Sequence, residues 1–108
     1  MLTENSVYRI QREQEELIES VINILSYTEI KASLAVWEAL EGKDSATLVM
    51  SSLADKYNFT RTSIVNAIRK LACARILNSQ SLGVKGTFIN ILNRNFFEHL
   101  ERQNRCYH

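Results

Sequence analysis

Three features predict a mainly α chain with a small β-hairpin, arranged as a winged helix-turn-helix preceded by a long N-terminal helix. Residues 49–57 and 60–74 each carry apolar side chains at helical spacing, and only a tight turn at Asn58 separates them. Directly afterwards the hydrophobic period changes from 3.6 to 2, over 76–81 and 87–92, with two glycines between the runs. The first 25 residues form one uninterrupted amphipathic pattern.

That N-terminal pattern is a heptad seam. Val7, Ile10, Gln14, Leu17, Val21 and Ile24 fall at spacings of 3, 4, 3, 4 and 3, and Glu13, Glu15, Glu16 and Glu19 cover the flanks. A seam with one polar position can pair with its own copy in register, which predicts a homodimer through helix 3–25. Packing on the domain behind it is the alternative. Residues 1–25 are therefore read as a linker or dimerisation helix, 26–103 as the winged helix-turn-helix domain and 104–108 as a tail.

Ser26-Tyr27-Thr28-Glu29 has the form of a capping box, in which the serine hydroxyl and the glutamate three residues on each satisfy a backbone N–H. It opens a second helix to about Glu41, with Ile30, Leu34, Trp37 and Leu40 on one face and Trp37 as core anchor. Gly42 suits the helix end, and residues 42–45 make a turn. A short extended piece is expected at 46–48.

Helix 49–57 follows, with Met50, Leu53, Ala54 and Tyr57 on its inner face and a small residue, Ala54, where another helix crosses closely. Asn58 suits a left-handed turn, because asparagine tolerates that conformation best after glycine. Thr60 stands where an N-cap hydroxyl belongs. Helix 60–74 then buries Ile64, Ile68 and Leu71, and turns Thr62, Asn66, Arg69 and Cys73 outward, flanked by Ser63 and Lys70.

The two strands enclose Leu82-Gly83-Val84-Lys85-Gly86, a hairpin with a lysine near its tip. A hairpin after a helix-turn-helix is a wing, which lays its basic residue beside the DNA backbone or in the minor groove. Asn93 or Asn95 can cap a last helix that docks through Phe96, Phe97 and Leu100.

Charge separates the two halves. Residues 1–44 hold four Lys/Arg against nine Asp/Glu, and residues 45–108 hold nine against three. Positions 56–97 contain no Asp or Glu at all. A generic solvated face mixes signs, so an acid-free stretch around helix 60–74 points to a phosphate-facing surface. Partnership with double-stranded DNA is the expectation. No apolar run approaches the ~20 residues of a membrane span, and the N-terminus lacks the regions of a signal peptide. Cys73 and Cys106 form neither a CxxC pair nor a disulfide framework, so a cytoplasmic protein with free thiols is expected.

Catalytic patterns are weak. Gly83-Val84-Lys85-Gly86-Thr87 lacks the spacing and the strand-loop-helix setting of a phosphate-cradling loop. Asn93-Arg94-Asn95 reads as a helix cap and not as a nucleotide signature. His99, Cys106 and His108 have no second paired cluster for a metal, and Cys73 reads as an inert thiol. No enzyme activity and no metal are expected.

At this point the residues resemble a known family. LSYTEIKA (25–32), TRTSIVNAIRKL (60–71) and SLGVKGTFINILN (81–93) closely resemble the C-terminal DNA-binding region of the CodY family, transcriptional regulators of low-GC Gram-positive bacteria that respond to GTP and branched-chain amino acids. The resemblance runs from about residue 25 to residue 100. It implies a winged helix-turn-helix whose dimer reads an AT-rich palindromic operator, with the preceding helix matching the end of the family's long inter-domain helix. The family's Arg and the hydroxyl residue after it, opening the recognition helix, fall on Arg61 and Thr62, with Thr in place of the usual Ser. The wing lysine falls on Lys85, and Ser51 matches.

Two positions depart from the family pattern. Met50 stands where the family has a small residue, which predicts less room for close backbone approach. Arg75 stands where it has Gly, and so must take the left-handed conformation that Gly finds easy. The family's effector-sensing domain has no room in 108 residues. A C-terminal portion beginning in the linker helix is expected over a naturally short relative. No cofactor is expected in this chain: GTP and branched-chain amino acids are not expected to act on a site built from these residues alone.

The resulting expectation is the sequence-specific DNA-binding domain of a transcriptional regulator, a repressor, reading DNA through helix 60–74 and wing 81–87. Arg61 and Asn66 are candidates for base edges, Thr62 and Ser63 for a base or phosphate, and Ser51, Ser52, Arg69, Lys70 and Lys85 for phosphates. The alternative is a winged-helix protein-interaction module without specific DNA binding.

Overall fold

The computed structural model describes residues 4–106, with side chains described from 12 to 103. Five helices and three strands follow in the order α1 (Glu4–Ile24), α2 (Tyr27–Ala39), β1 (Ser45–Leu48), α3 (Met50–Tyr57), α4 (Arg61–Cys73), β2 (Leu77–Ser81), β3 (Thr87–Ile91) and α5 (Arg94–Cys106). The strands form one antiparallel sheet in the order β1-β3-β2. This is a winged helix-turn-helix preceded by a long helix, as the sequence predicts.

Local chemistry sets most boundaries. The capping box forms in full: Glu29 N–H donates to Ser26 Oγ at 3.1 Å, and Ser26 N–H donates to Glu29 Oε1 at 2.8 Å. At the far end of α2 the chain reverses through Glu41 and Gly42, both at positive φ. Asn93 Oδ1 accepts from Phe96 N–H at 3.3 Å and so opens α5, which continues through Cys106 into the stretch expected as a tail.

α2 is the hub, packed against α3, α4 and α5. Its centre differs from the expected face. Ala32, Ser33, Ala35, Val36 and Leu40 are buried, while Ile30, Leu34 and Trp37 are half-buried around them. A helix enclosed by three others needs small residues where backbones cross, so the large side chains move to the periphery. The buried Ser33 hydroxyl is satisfied by donating to the Glu29 carbonyl at 2.8 Å. Trp37 anchors α5 from that periphery: its ring stacks on Phe97 at 5.0 Å, Phe97 meets Phe96 edge-on at 5.2 Å, and its indole N–H donates to Glu101.

α1 docks by a different stripe from the expected heptad seam. Ile18, Val21 and Leu25 are buried and Ile22 packs beside them, whereas Gln14, Leu17 and Ile24 are exposed. Val7 and Ile10 lie outside the residues whose side chains are described. Positions 18, 21, 22 and 25 follow i, i+3, i+4, i+7, the pattern of a straight helix lying on a globular core. The chain turns into α2 immediately afterwards, which forces the last turn of α1 against the domain.

The sheet carries the rest of the core. Leu77 and Ile89 are fully buried, and Ile91 nearly so, beneath Ile64, Ala67, Ile68 and Leu71 of α4. Strand β1, expected only as a short extended piece, pairs in full with β3, Ser45 opposite Asn90 and Leu48 opposite Thr87.

Candidate nucleic-acid interface

The turn between α3 and α4 is built by three consecutive residues. Asn58 is left-handed (φ 59°, ψ 44°), and the Phe59 N–H behind it donates to the Ala54 carbonyl at 2.9 Å. Thr60 is extended and caps α4, its Oγ1 accepting from the Ser63 N–H at 3.2 Å. Neither α3 nor α4 has an acidic residue in its first turn, so nothing offsets the positive end of either helix dipole.

Arg61, Thr62 and Arg69 are exposed on α4, with Ser63 and Asn66 half-buried among them. The Ser63 hydroxyl lies 2.8 Å from Thr60 Oγ1 and belongs to the cap. Ser51 and Ser52 are exposed on the first turn of α3, and the Met50 side chain is buried, so its bulk points into the core. Arg75 takes the left-handed conformation at φ 60°, and the Ile76 N–H closes the helix end by donating to the Leu71 carbonyl at 2.9 Å.

The hairpin stands beside α4. Gly83–Lys85 form one short 3-10 turn at its tip, where Val84 is fully exposed and Lys85 projects into solvent. Leu82 N–H donates to the Gly86 carbonyl at 2.8 Å, and Gly86 N–H to the Gly83 carbonyl at 3.1 Å. Gly86 has φ +113°, and a Cβ there would lie 2.7 Å from the Leu48 carbonyl oxygen. The base of the wing thus passes the end of β1 with no space for a side chain.

Between α4 and the hairpin runs an open cleft of about 520 Å³. Arg61, Arg69 and Cys73 form one wall; Ser79, Ser81 and Thr87 form the other; Val65, Ile68 and Ala72 line its base. The sequence reading missed Ser79, Ser81 and Thr87. A signal existed in the run Asn78-Ser79-Gln80-Ser81, polar at every position of an exposed edge strand. Neither α4, the hairpin nor β3 carries a carboxylate. Above an apolar base to which Met50 also contributes, the cleft offers two guanidiniums, three hydroxyls and a cysteine with no carboxylate among them, groups that can meet a polyanion's backbone.

Lys70, expected on the same surface, lies apart from this group. Its ammonium donates to Glu29 Oε1 at 2.7 Å and to the Ile24 carbonyl at 3.0 Å, on the side of α4 that faces α2. Lys70 lies one turn beyond the fully buried Ala67, so it sits at the inner edge of the helix. Glu29 is buried, and the hydrogen bond from Lys70, then the Ser26 N–H, hold its carboxyl below the ordinary carboxylate range against the opposing effect of burial.

Among the described residues, no three His, Cys, Asp or Glu side chains group as metal ligands, and no helix is long and apolar enough to cross a membrane. Cys73 is an exposed free thiol; Cys106 has no described side chain, and His108 lies outside the described residues.

The model of the CodY helix-turn-helix domain matches residues 40–104. The global transcriptional regulator CodY of Exiguobacterium sibiricum is 48% identical over 86 residues, covering 80% of this chain and 33% of that protein. Its counterpart from Caldanaerobacter subterraneus subsp. tengcongensis is 44% identical over 89 residues, covering 82% and 35%. The chain thus spans about a third of the length of the curated relatives it matches. Among solved structures, a MarR-family transcriptional regulator from Silicibacter pomeroyi superposes with TM-score 0.54 at 15% identity, covering 94% of this chain and 70% of that one. The MepR–DNA complex of S. aureus gives 0.53 at 11% identity, covering 95% and 76%. At such identities the likeness is one of fold.

Proposed function

The chain belongs to the family of CodY helix-turn-helix domains, and on that premise we propose that it is the sequence-reading module of a transcriptional repressor. α4 enters the major groove of double-stranded DNA, and the wing at 81–87 lies against the adjoining backbone or minor groove. Arg61 and Asn66 read base edges, Arg preferring guanine and Asn adenine when bidentate. Thr62 and Ser63 touch a base or phosphate, and Ser51, Ser52, Arg69 and Lys85 hold phosphates. The target is an AT-rich palindrome in the cytoplasm, bound by a homodimer joined through α1.

The observation that carries this reading is the cleft between α4 and the wing, walled by Arg61 and Arg69 in a region without acids. Membership of a family whose relatives include the global transcriptional regulator CodY supports it, as does the DNA bound to MepR on the same fold. The rival reading, a protein-interaction module, needs a broad apolar patch on the reading face. Among the described residues the exposed large hydrophobics lie scattered on α1, α2, the approach to α3, the wing, β3 and the residue after it, Leu92, and none lies on α4.

Two substitutions test the docking. Arg61→Ala should cost about 1–3 kcal/mol of operator affinity and relax the preference at one base position. Lys85→Ala should weaken all sequences alike and lower the salt slope by about 1. Unchanged operator affinity in Arg61→Ala would falsify this placement of α4.

A further inference from the structure

Lys70 reaches from α4 to the junction where α1 ends and α2 begins. Both of its acceptors define that junction. Ile24 is the last residue of α1, and its carbonyl is among the four at a helix end that lack an intrahelical partner. Glu29 belongs to the capping box that starts α2, and its Oε1 accepts at once from Lys70 Nζ at 2.7 Å and from Ser26 N–H at 2.8 Å. One ammonium thus ties together the end of one helix, the cap of the next and the last turn of α4.

The burial of Glu29 distinguishes this contact from a loose surface pair. The Lys70 side chain is 40% exposed and that of Glu29 9%, so loss of the cation would leave the carboxylate uncompensated. The same carboxylate, 2.7 Å from the ammonium, would repel a phosphate brought to that place.

We propose that Lys70 is a positioning residue, which couples the direction in which α1 leaves the domain to the orientation of α4 without touching DNA. This rests on the DNA-reading role assigned to α4 above. In a dimer joined through α1, that direction sets the separation of the two α4 helices, and hence the half-site spacing the dimer accepts.

The test compares wild type, Lys70→Met, Glu29→Gln and Lys70→Arg in the full 108-residue chain. On a duplex carrying a single half-site, Lys70→Met should keep the wild-type slope of affinity against salt. A slope smaller by about 0.9 would mean a lost phosphate contact and overturn the proposal. On the two-half-site palindrome, Lys70→Met and Glu29→Gln should each weaken binding, on the order of 10-fold, and the double variant should be no worse than either, since both break one network. Tighter binding by Glu29→Gln, as expected of a lysine released to a phosphate, would overturn it too. Glu29→Gln keeps the oxygen that accepts from both Ser26 N–H and Lys70, so it preserves the cap and removes only the charge of the pair, whereas Lys70→Met is the harsher change.

A readout without DNA separates this proposal from the docking itself. With spin labels at Glu16→Cys and Cys73 in a Cys106→Ser background, diluted with excess unlabelled chain so that only distances within one chain are read, wild type should give one narrow distance distribution. Lys70→Met and Glu29→Gln should broaden it, and Lys70→Arg should restore it. An unchanged distribution in both folded variants contradicts the coupling. Should wild type bind no DNA, the docking reading fails and these distances still decide the role of Lys70.

Discussion

Arg75 ends α4 in a left-handed conformation that an L-residue with a Cβ adopts at a cost. Replacing it with Gly removes that cost and adds unfolded-state entropy, so Arg75→Gly should leave stability level or raise it by up to about 1 kcal/mol in a urea titration. A loss larger than that would assign the side chain a structural contact. Asn58, the other left-handed residue inside the helix-turn-helix, was legible in the sequence, as were the Thr60 cap and the Ser26–Glu29 box. Each depends on partners no more than four residues away. Lys70 was not legible, because its carboxylate lies 41 positions upstream, and helix periodicity says only that the residue sits near an edge.

At the scale of elements, the hairpin shows how a period-2 pattern with two glycines locates a wing but not its exact path. The two strands appear one residue shorter than expected at one end each, and β1 joins them as a full partner of β3. The position of Gly86 follows from that third strand, since the Leu48 carbonyl of β1 occupies the place a Cβ would need. Gly86→Ala therefore has to shift the wing or strain a backbone region open almost only to glycine. The expected loss is on the order of 1–3 kcal/mol in denaturant unfolding, with weaker DNA binding as the wing moves. Wild-type stability in this variant would show that the wing base is looser than the geometry requires. α1 teaches the complementary point. Its apolar residues fit a 3.5-residue seam and a 3.6-residue stripe almost equally over so few turns, and only the docking surface beneath its last turns selects Ile18, Val21 and Leu25.

Across the whole molecule, the acidic and basic halves of the sequence meet at the pair of buried Glu29 with part-exposed Lys70, and again on the surface where Asp44 meets Arg94. Because the carboxyl of Glu29 is held below its ordinary value of 4.5, it contributes stability that is present above that pH and is lost as pH falls through the folded value. The stability gap between wild type and Glu29→Gln should thus be widest near neutral pH and close as pH falls below about 4.5. A gap that stays constant from pH 7 to pH 3 would detach the pair from stability.

Charge segregation also underlies the central claim. The acid-free surface of α4 and the wing predicts a salt-sensitive attraction to any DNA, and the side chains at Arg61 and Asn66 predict discrimination on top of it. The direct measurement is a titration of the chain with an AT-rich palindrome and with a scrambled duplex of equal composition, across a range of salt concentrations. Affinity for both should fall as salt rises, with the palindrome bound more tightly at every concentration. Equal affinity for the two duplexes, even at low salt, would contradict the account.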